Sequence, residues 1–202
     1  MDTLKITDLK DLSIQKLTQI AKDKNVVGAT ASGNNLTKTA VTGWGNAGAA
    51  SVQVLHGDGY VEFTAQETAA WRMAGLSNGD TNQNLNDIDF GIVLGGDGAY
   101  YIYESGTQRG SSYGNYSAGD VFRVAVTNGV VTYSRNRTVF YTSAVAPTFP
   151  LGVDTALYDT SATIKNAVLY VQPGPPVAIP FRDNRRLQPR ASGGVRSTKG
   201  PR

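Results

Sequence analysis

Hydrophobic and polar residues alternate along positions 121–127. Phe122, Val124 and Val126 fall on one side and Arg123, Ala125 and Thr127 on the other, the period of a half-buried strand. Asn128-Gly129 follows, and both residues accept the positive φ that a two-residue type I′ turn demands. Val131 and Tyr133 continue the alternation on a return strand. Residues 134–137 supply a second turn, and Val139 and Tyr141 belong to a third strand. An antiparallel meander over 119–143 is therefore predicted. Further short β-rich runs occur at 26–31, 36–41, 51–55, 60–64, 70–76, 88–94, 99–104, 149–153 and 162–171, separated by turn signals such as 56–59 and 95–98 and by a polar loop at 77–87. About a dozen strands with no interleaved helix predict an all-β fold, a two-sheet antiparallel jelly-roll sandwich.

The pattern changes at both ends. In residues 1–24, Ile14, Leu17, Ile20 and Ala21 share a helical face. Ser13 can cap that helix and Leu12 can staple onto Leu17. One short N-terminal helix is predicted, docked on the sandwich or on a partner. Residues 173–202 hold six of the eight prolines and seven Lys/Arg against Asp183 alone. They read as an extended basic arm in which Val177, Ile179 and Phe181 are apolar anchors, and Arg182, Arg185 and Arg186 steer towards an acidic partner. A disordered solubilising tail is the other reading. The net charge of +3 thus hides a body, 25–172, with seven Lys/Arg against eleven Asp/Glu. The predicted organisation is an N-terminal helical extension (1–24), a sandwich (25–172) and a Pro/Arg-rich tail (173–202).

Three segments carry a resemblance to concanavalin-like proteins. They are Val26-Val27-Gly28-Ala29-Thr30-Ala31-Ser32-Gly33-Asn34-Asn35-Leu36, Thr42-Gly43-Trp44-Gly45-Asn46-Ala47-Gly48 and Gly57-Asp58-Gly59-Tyr60-Val61-Glu62-Phe63. Together with Gly75-Leu76-Ser77-Asn78-Gly79-Asp80 they are similar to a bacterial or phage branch of the concanavalin A-like lectin/glucanase superfamily, in the style of laminin-G and SPRY sandwiches. The resemblance covers roughly 25–172. It departs at Arg137, where Gly would follow Asn136. Separately, residues 8–23 resemble the first half of the helical module at the amino end of Rho termination factors. The second half is missing, so nucleic-acid binding is not implied by it.

Chemistry narrows the functional classes. Without Cys there is no disulfide, thiolate metal site or cysteine nucleophile, and the single His56 sits in a Gly/Asp turn. Glucanases of the superfamily carry Glu-x-Asp-x-Glu on one strand. Here the three Glu are Glu62, Glu67 and Glu104, none in that spacing, so no catalysis by a carboxylate pair is expected. The resemblance implies sugar recognition by aromatic and polar loop groups. Candidate residues are Trp44, Asp58, Asn78, Asp80, Asn82, Tyr113 and Tyr116, with Tyr113 and Tyr116 expected to be exposed and Trp71 expected in the core. Lectins of the superfamily often use loop calcium. Asp80, Asn82 and Asn84 offer oxygens at alternate positions, although an Asn-rich surface loop is the favoured account of them and no cofactor is required.

The leading expectation is a non-enzymatic surface binding or assembly protein. A phage virion accessory or decoration component would display a lectin-like sandwich and meet other subunits through both termini. The alternative is a glycan-binding module of a bacterial surface protein. Nucleic acid is an expected partner only through the basic tail, and a membrane is not one. No classical signal peptide is apparent, and a virion or extracellular surface is the expected location.

Overall fold

The computed structural model describes residues 26–172; the expected N-terminal helix and basic arm lie outside the described residues. Thirteen strands are present among the described residues, in two antiparallel sheets. They are β1 (Ala29–Ser32), β2 (Asn35–Lys38), β3 (Gly48–Leu55), β4 (Gly59–Ala65), β5 (Arg72–Ser77), β6 (Phe90–Leu94), β7 (Tyr100–Glu104), β8 (Thr107–Arg109), β9 (Val121–Thr127), β10 (Val130–Arg135), β11 (Thr138–Thr142), β12 (Leu151–Leu157) and β13 (Thr163–Val171). A seven-stranded sheet runs β1-β2-β13-β4-β9-β10-β11, and a six-stranded sheet runs β3-β12-β5-β6-β7-β8.

The core lies between the sheets and follows the alternation. Val61, Phe63 and Ala65 of β4, Phe122, Val124 and Val126 of β9, and Val131 and Tyr133 of β10 point inward. They meet Leu76, Phe90, Ile92, Leu94, Ile102, Leu151, Val153 and Leu157 of the other sheet. Phe63 stacks on Phe122 at 6.0 Å, and Tyr100 meets Phe122 edge-on at 5.2 Å. Truncating such a ring to Ala costs about 3–5 kcal/mol.

The predicted meander is present. Asn128 (φ 51°) and Gly129 (φ 76°) form the β9–β10 turn. Asn136 (φ 51°) and Arg137 (φ 71°) turn β10 into β11, so Arg137 adopts the left-handed conformation that glycine takes most easily. Asn136 stabilises that corner, its Oδ1 accepting from Val121 N at 2.9 Å and its Nδ2 donating to Asp120 Oδ1 at 2.8 Å.

Some boundaries differ from the sequence reading. The run at 149–153 begins at Leu151 and continues through Asp154 and Thr155 to Leu157, two polar residues that interrupt the apolar pattern. β8 was not foreseen, its Thr-Gln-Arg having no apolar alternation. The polar loop contains a short 3₁₀ turn, Leu85–Asp87, capped by Asn84.

Two buried cations hold the ends of the sandwich. Lys38 Nζ donates to Gly43 O (2.6 Å), Asn46 Oδ1 (2.6 Å), Leu157 O (2.9 Å) and Tyr158 O (2.8 Å). It joins β2, the loop around Trp44 and the end of β12. Arg72 donates to Ala70 O and Glu67 O, each at 2.6 Å.

Candidate functional site

The outer face of the six-stranded sheet is covered in an unusual way. Strands β5 and β6 are buried at every residue, because the loop between them, 78–89, lies back over that face. Ile88 packs on Met73, Val93 and Ala156, with Leu85, Trp44, Trp71, Tyr101 and Tyr103 around them. Glycine makes this close approach possible. A Cβ on Gly91 would meet Ile88 of the loop at 3.2 Å, besides Met73 of β5 at 1.9 Å, and one on Gly48 would meet Gln83 of the loop at 3.2 Å.

Across this face the strand register sets Asp154 of β12 opposite Gly75 of β5 and Gly91 of β6. Asp154 is 2% exposed. Its Oδ1 accepts from Thr155 N at 2.6 Å, and its Oδ2 is buried with no hydrogen-bond partner. Loop 78–89 brings Asp80 and Asp87 over it, so that one carboxylate oxygen from each of Asp80, Asp87 and Asp154 lies within 4.8 Å of the others. Thr81 holds Asp87 in place, through its N–H at 2.7 Å to Oδ2 and its hydroxyl to Oδ1. Asp89 accepts from Asn78 N at 2.8 Å and from Ser105 Oγ at 3.1 Å. Burial, then the charge of Asp80 and further those of Asp87 and Asp89, push the Asp154 carboxyl up to about 8 against the opposing Thr155 N–H.

Beside this cluster is a cleft of about 370 Å³ between β3 and β12. Val52, Val54, Val153 and Pro150 give it apolar walls, and Ser51, Ser77 and Asp80 contribute oxygens.

The structure sorts the sequence candidates. Asn78, Asp80 and Asn82 share loop 78–89, and Asp80 lies in both the carboxylate cluster and the cleft lining. Trp44 is half-buried and packs on the outer-face apolar group that Leu85 also joins, tilted on Tyr158 at 5.2 Å. Asp58 is spent at the β3–β4 turn, accepting from Asn128 N at 2.9 Å. Tyr113 and Tyr116 are not exposed. Tyr116 is buried with its hydroxyl donating to Gly95 O at 2.9 Å, and Tyr113 packs on Phe140 and Tyr141. They fill the sandwich mouth because Gly110, Gly114 and Gly119, all at positive φ, let the chain fold back over it. Trp71 lies outside the main core, stacked on Tyr101 at 5.9 Å on the outer face.

The alternate-oxygen pattern is also resolved differently. Asn82 Oδ1 accepts from Asn84 N (2.8 Å) and Asn84 Oδ1 from Asn86 N (3.3 Å), so both amides shape the loop. Asp87 and Asp154 each bring a carboxylate oxygen within 4.8 Å of that of Asp80. Asp154 escaped the sequence reading. The signal was a carboxylate inside Val153-Asp154-Thr155-Ala156-Leu157, a strand apolar on one face and small on the other.

The three glutamates are apart and occupied. Glu62 pairs with Arg123 on the outer face of the seven-stranded sheet. Glu67 accepts from Thr163 N at 2.7 Å and lies 3.4 Å from Arg72 Nε. Glu104 accepts from Tyr133 Oη at 3.0 Å and Arg109 Nε at 2.9 Å. Burial, reinforced by Glu104, raises the Tyr133 phenol far above its ordinary range.

Neither a family model nor a curated protein sequence matches the chain. Solved structures do. The PSpry domain of TRIM65 superposes with a TM-score of 0.56 at 10% identity, covering 81% of this chain and 98% of that one. What is shared is the fold. A Bacillus licheniformis β-glucanase (TM-score 0.47, 11% identity, 78% and 92% covered) and the carbohydrate recognition domain of Emp47p (TM-score 0.47, 12% identity, 76% and 91% covered) are also similar. The likeness to the PSpry domain is one of fold, a two-sheet antiparallel sandwich.

Proposed function

We propose that the sandwich is a non-catalytic glycan-binding module, displayed on a larger assembly such as a virion or another extracellular surface. The cleft between β3 and β12 carries this reading. Its volume suits a sugar unit, and sugars present C–H faces to apolar walls and hydroxyls to oxygens such as those of Ser51, Ser77 and Asp80. The lectin and glucanase likenesses are compatible with it but decide nothing about the ligand.

The carboxylate cluster invites a hydrolytic reading, since a retaining glycosidase sets two carboxyl groups ~5 Å apart. Its burial argues otherwise. Asp154 is almost wholly covered, and both oxygens of Asp87 accept from Thr81. A general acid must reach the glycosidic oxygen and a nucleophile the anomeric carbon.

A glycan array probed with the full chain tests the proposal. Binding to at least one glycan class is expected, lost in Val52→Arg, which fills the cleft from a side chain 65% exposed and leaves the melting temperature unchanged. No reducing sugar should be released from β-glucans. A clean array, or turnover that Asp154→Asn abolishes, would overturn the reading.

A further inference from the structure

The geometry points to a divalent cation site, with calcium as its occupant, formed by Asp80, Asp87 and Asp154 at the end of the cleft. It borders the proposed glycan seat, but it stands on its own observations and is tested with the metal alone.

Two independent features carry it. The first is the convergence of three carboxylates from two separated parts of the chain, with oxygens within 4.8 Å of one another. The second is the state of Asp154. This side chain is 98% buried, one of its carboxylate oxygens lies within 4.8 Å of those of Asp80 and Asp87, and its Oδ2 meets no donor. Buried carboxylate oxygens are ordinarily hydrogen-bonded, and an orphan facing two further acids calls for a positive charge. The buried cations among the described residues bond elsewhere: Lys38 to four oxygens around Gly43 and Tyr158, Arg72 to the Glu67 segment.

The framework around the group is built. Asp154 stands on a central strand of its sheet, paired on both sides by β3 and β5. Asp87 is held at both oxygens by Thr81, and Ser77 Oγ donates to Asp87 O at 2.9 Å. Asp80 approaches from the start of the same loop. Two ligands can thus close on an ion already anchored by the third.

Ligand type and the adaptability of the coordination shell choose the metal. An all-oxygen carboxylate set excludes the softer ions that seek His or Cys. Calcium accepts six to eight oxygens at ~2.3–2.6 Å in adaptable geometry, which suits carboxylates converging from a strand and a loop, whereas magnesium, at ~2.1 Å, demands near-ideal octahedral geometry. Three carboxylates leave further positions of the calcium shell to water, and through them to a hydroxylated ligand in the cleft.

Isothermal titration of the EDTA-treated full chain with CaCl₂ tests this. One saturable site is expected, with a rise in melting temperature, and weaker binding of MgCl₂. Asp154→Asn keeps the shape and removes the buried charge, and should weaken calcium by about tenfold or more. Asp80→Asn, at a half-buried loop position, should also weaken it and guards against a folding defect in the first variant. A flat trace at millimolar CaCl₂ overturns the site and leaves the three acids to share a proton. Unchanged affinity in folded Asp154→Asn or Asp80→Asn overturns it equally, and tighter magnesium overturns the choice of ion. Because the titration contains no glycan, its outcome is separate from that of the array.

Discussion

Asp154 is the residue on which the outer face turns. Its carboxyl is pushed up to about 8 in the fold, against 3.8 for the free group. Between about pH 4 and about pH 8 the native state therefore holds a proton that the unfolded chain has released. Stability supplied by that proton is complete below the lower value and is lost as pH rises through the upper one, with a slope of at most ~1.4 kcal/mol per pH unit. In EDTA the melting temperature should fall from pH 5 to pH 8 on this account. Asp154→Asn, which needs no proton, should flatten the decline, and thermal melts across the range would show it. A decline unchanged in the variant would place its origin elsewhere.

Among the elements, the β10–β11 turn offers the clearest local test. Its two central residues have positive φ, and the second is an exposed Arg137. A left-handed non-glycine residue costs ~1–2 kcal/mol, partly offset because glycine loses more entropy on folding. Arg137→Gly is expected to stabilise the protein by up to ~1 kcal/mol in urea denaturation, with an unchanged m-value. This turn also shows what a sequence can tell. The meander was legible because Phe122, Val124 and Val126 alternate cleanly and Asn128-Gly129 names its own turn. Loop 78–89 was not. Its composition is that of a solvated connection, and only Leu85 and Ile88 hint that it returns to a sheet. Asp154 was hidden for a related reason. A carboxylate inside a strand breaks the apolar pattern, so the pattern alone ends the strand before it, and its meeting with Asp80 depends on tertiary folding alone. Tyr113 and Tyr116 misled in the opposite sense, glycine-rich surroundings suggesting exposure where the glycines let the tyrosines turn inward.

At the scale of the whole molecule, the sandwich is acidic and the segment 173–202 is basic, with six net positive charges. If that segment attaches the protein to a larger assembly, deleting it should leave the melting curve of the sandwich intact and abolish incorporation. Phe181→Ala should reproduce part of the defect at any salt, whereas Arg185→Ala with Arg186→Ala should matter mainly at low salt. Co-sedimentation with the native particle is the measurement, and a truncated chain that co-sediments as well as the intact one would reduce the tail to a solvated appendage.

The seven-stranded sheet has one more consequence, which concerns the chain as it is made. β13 lies between β2 and β4, so the last strand among the described residues must enter a gap flanked by two made well before it. Until Val171 has emerged, both flanks present unpaired backbone and the inner residues Leu36, Val61 and Phe63 lack their cover. Such non-local closure is slow. A nascent chain stalled before β13 would be a natural client for a holding chaperone, and a product truncated there would offer neighbouring copies two open strands to pair with.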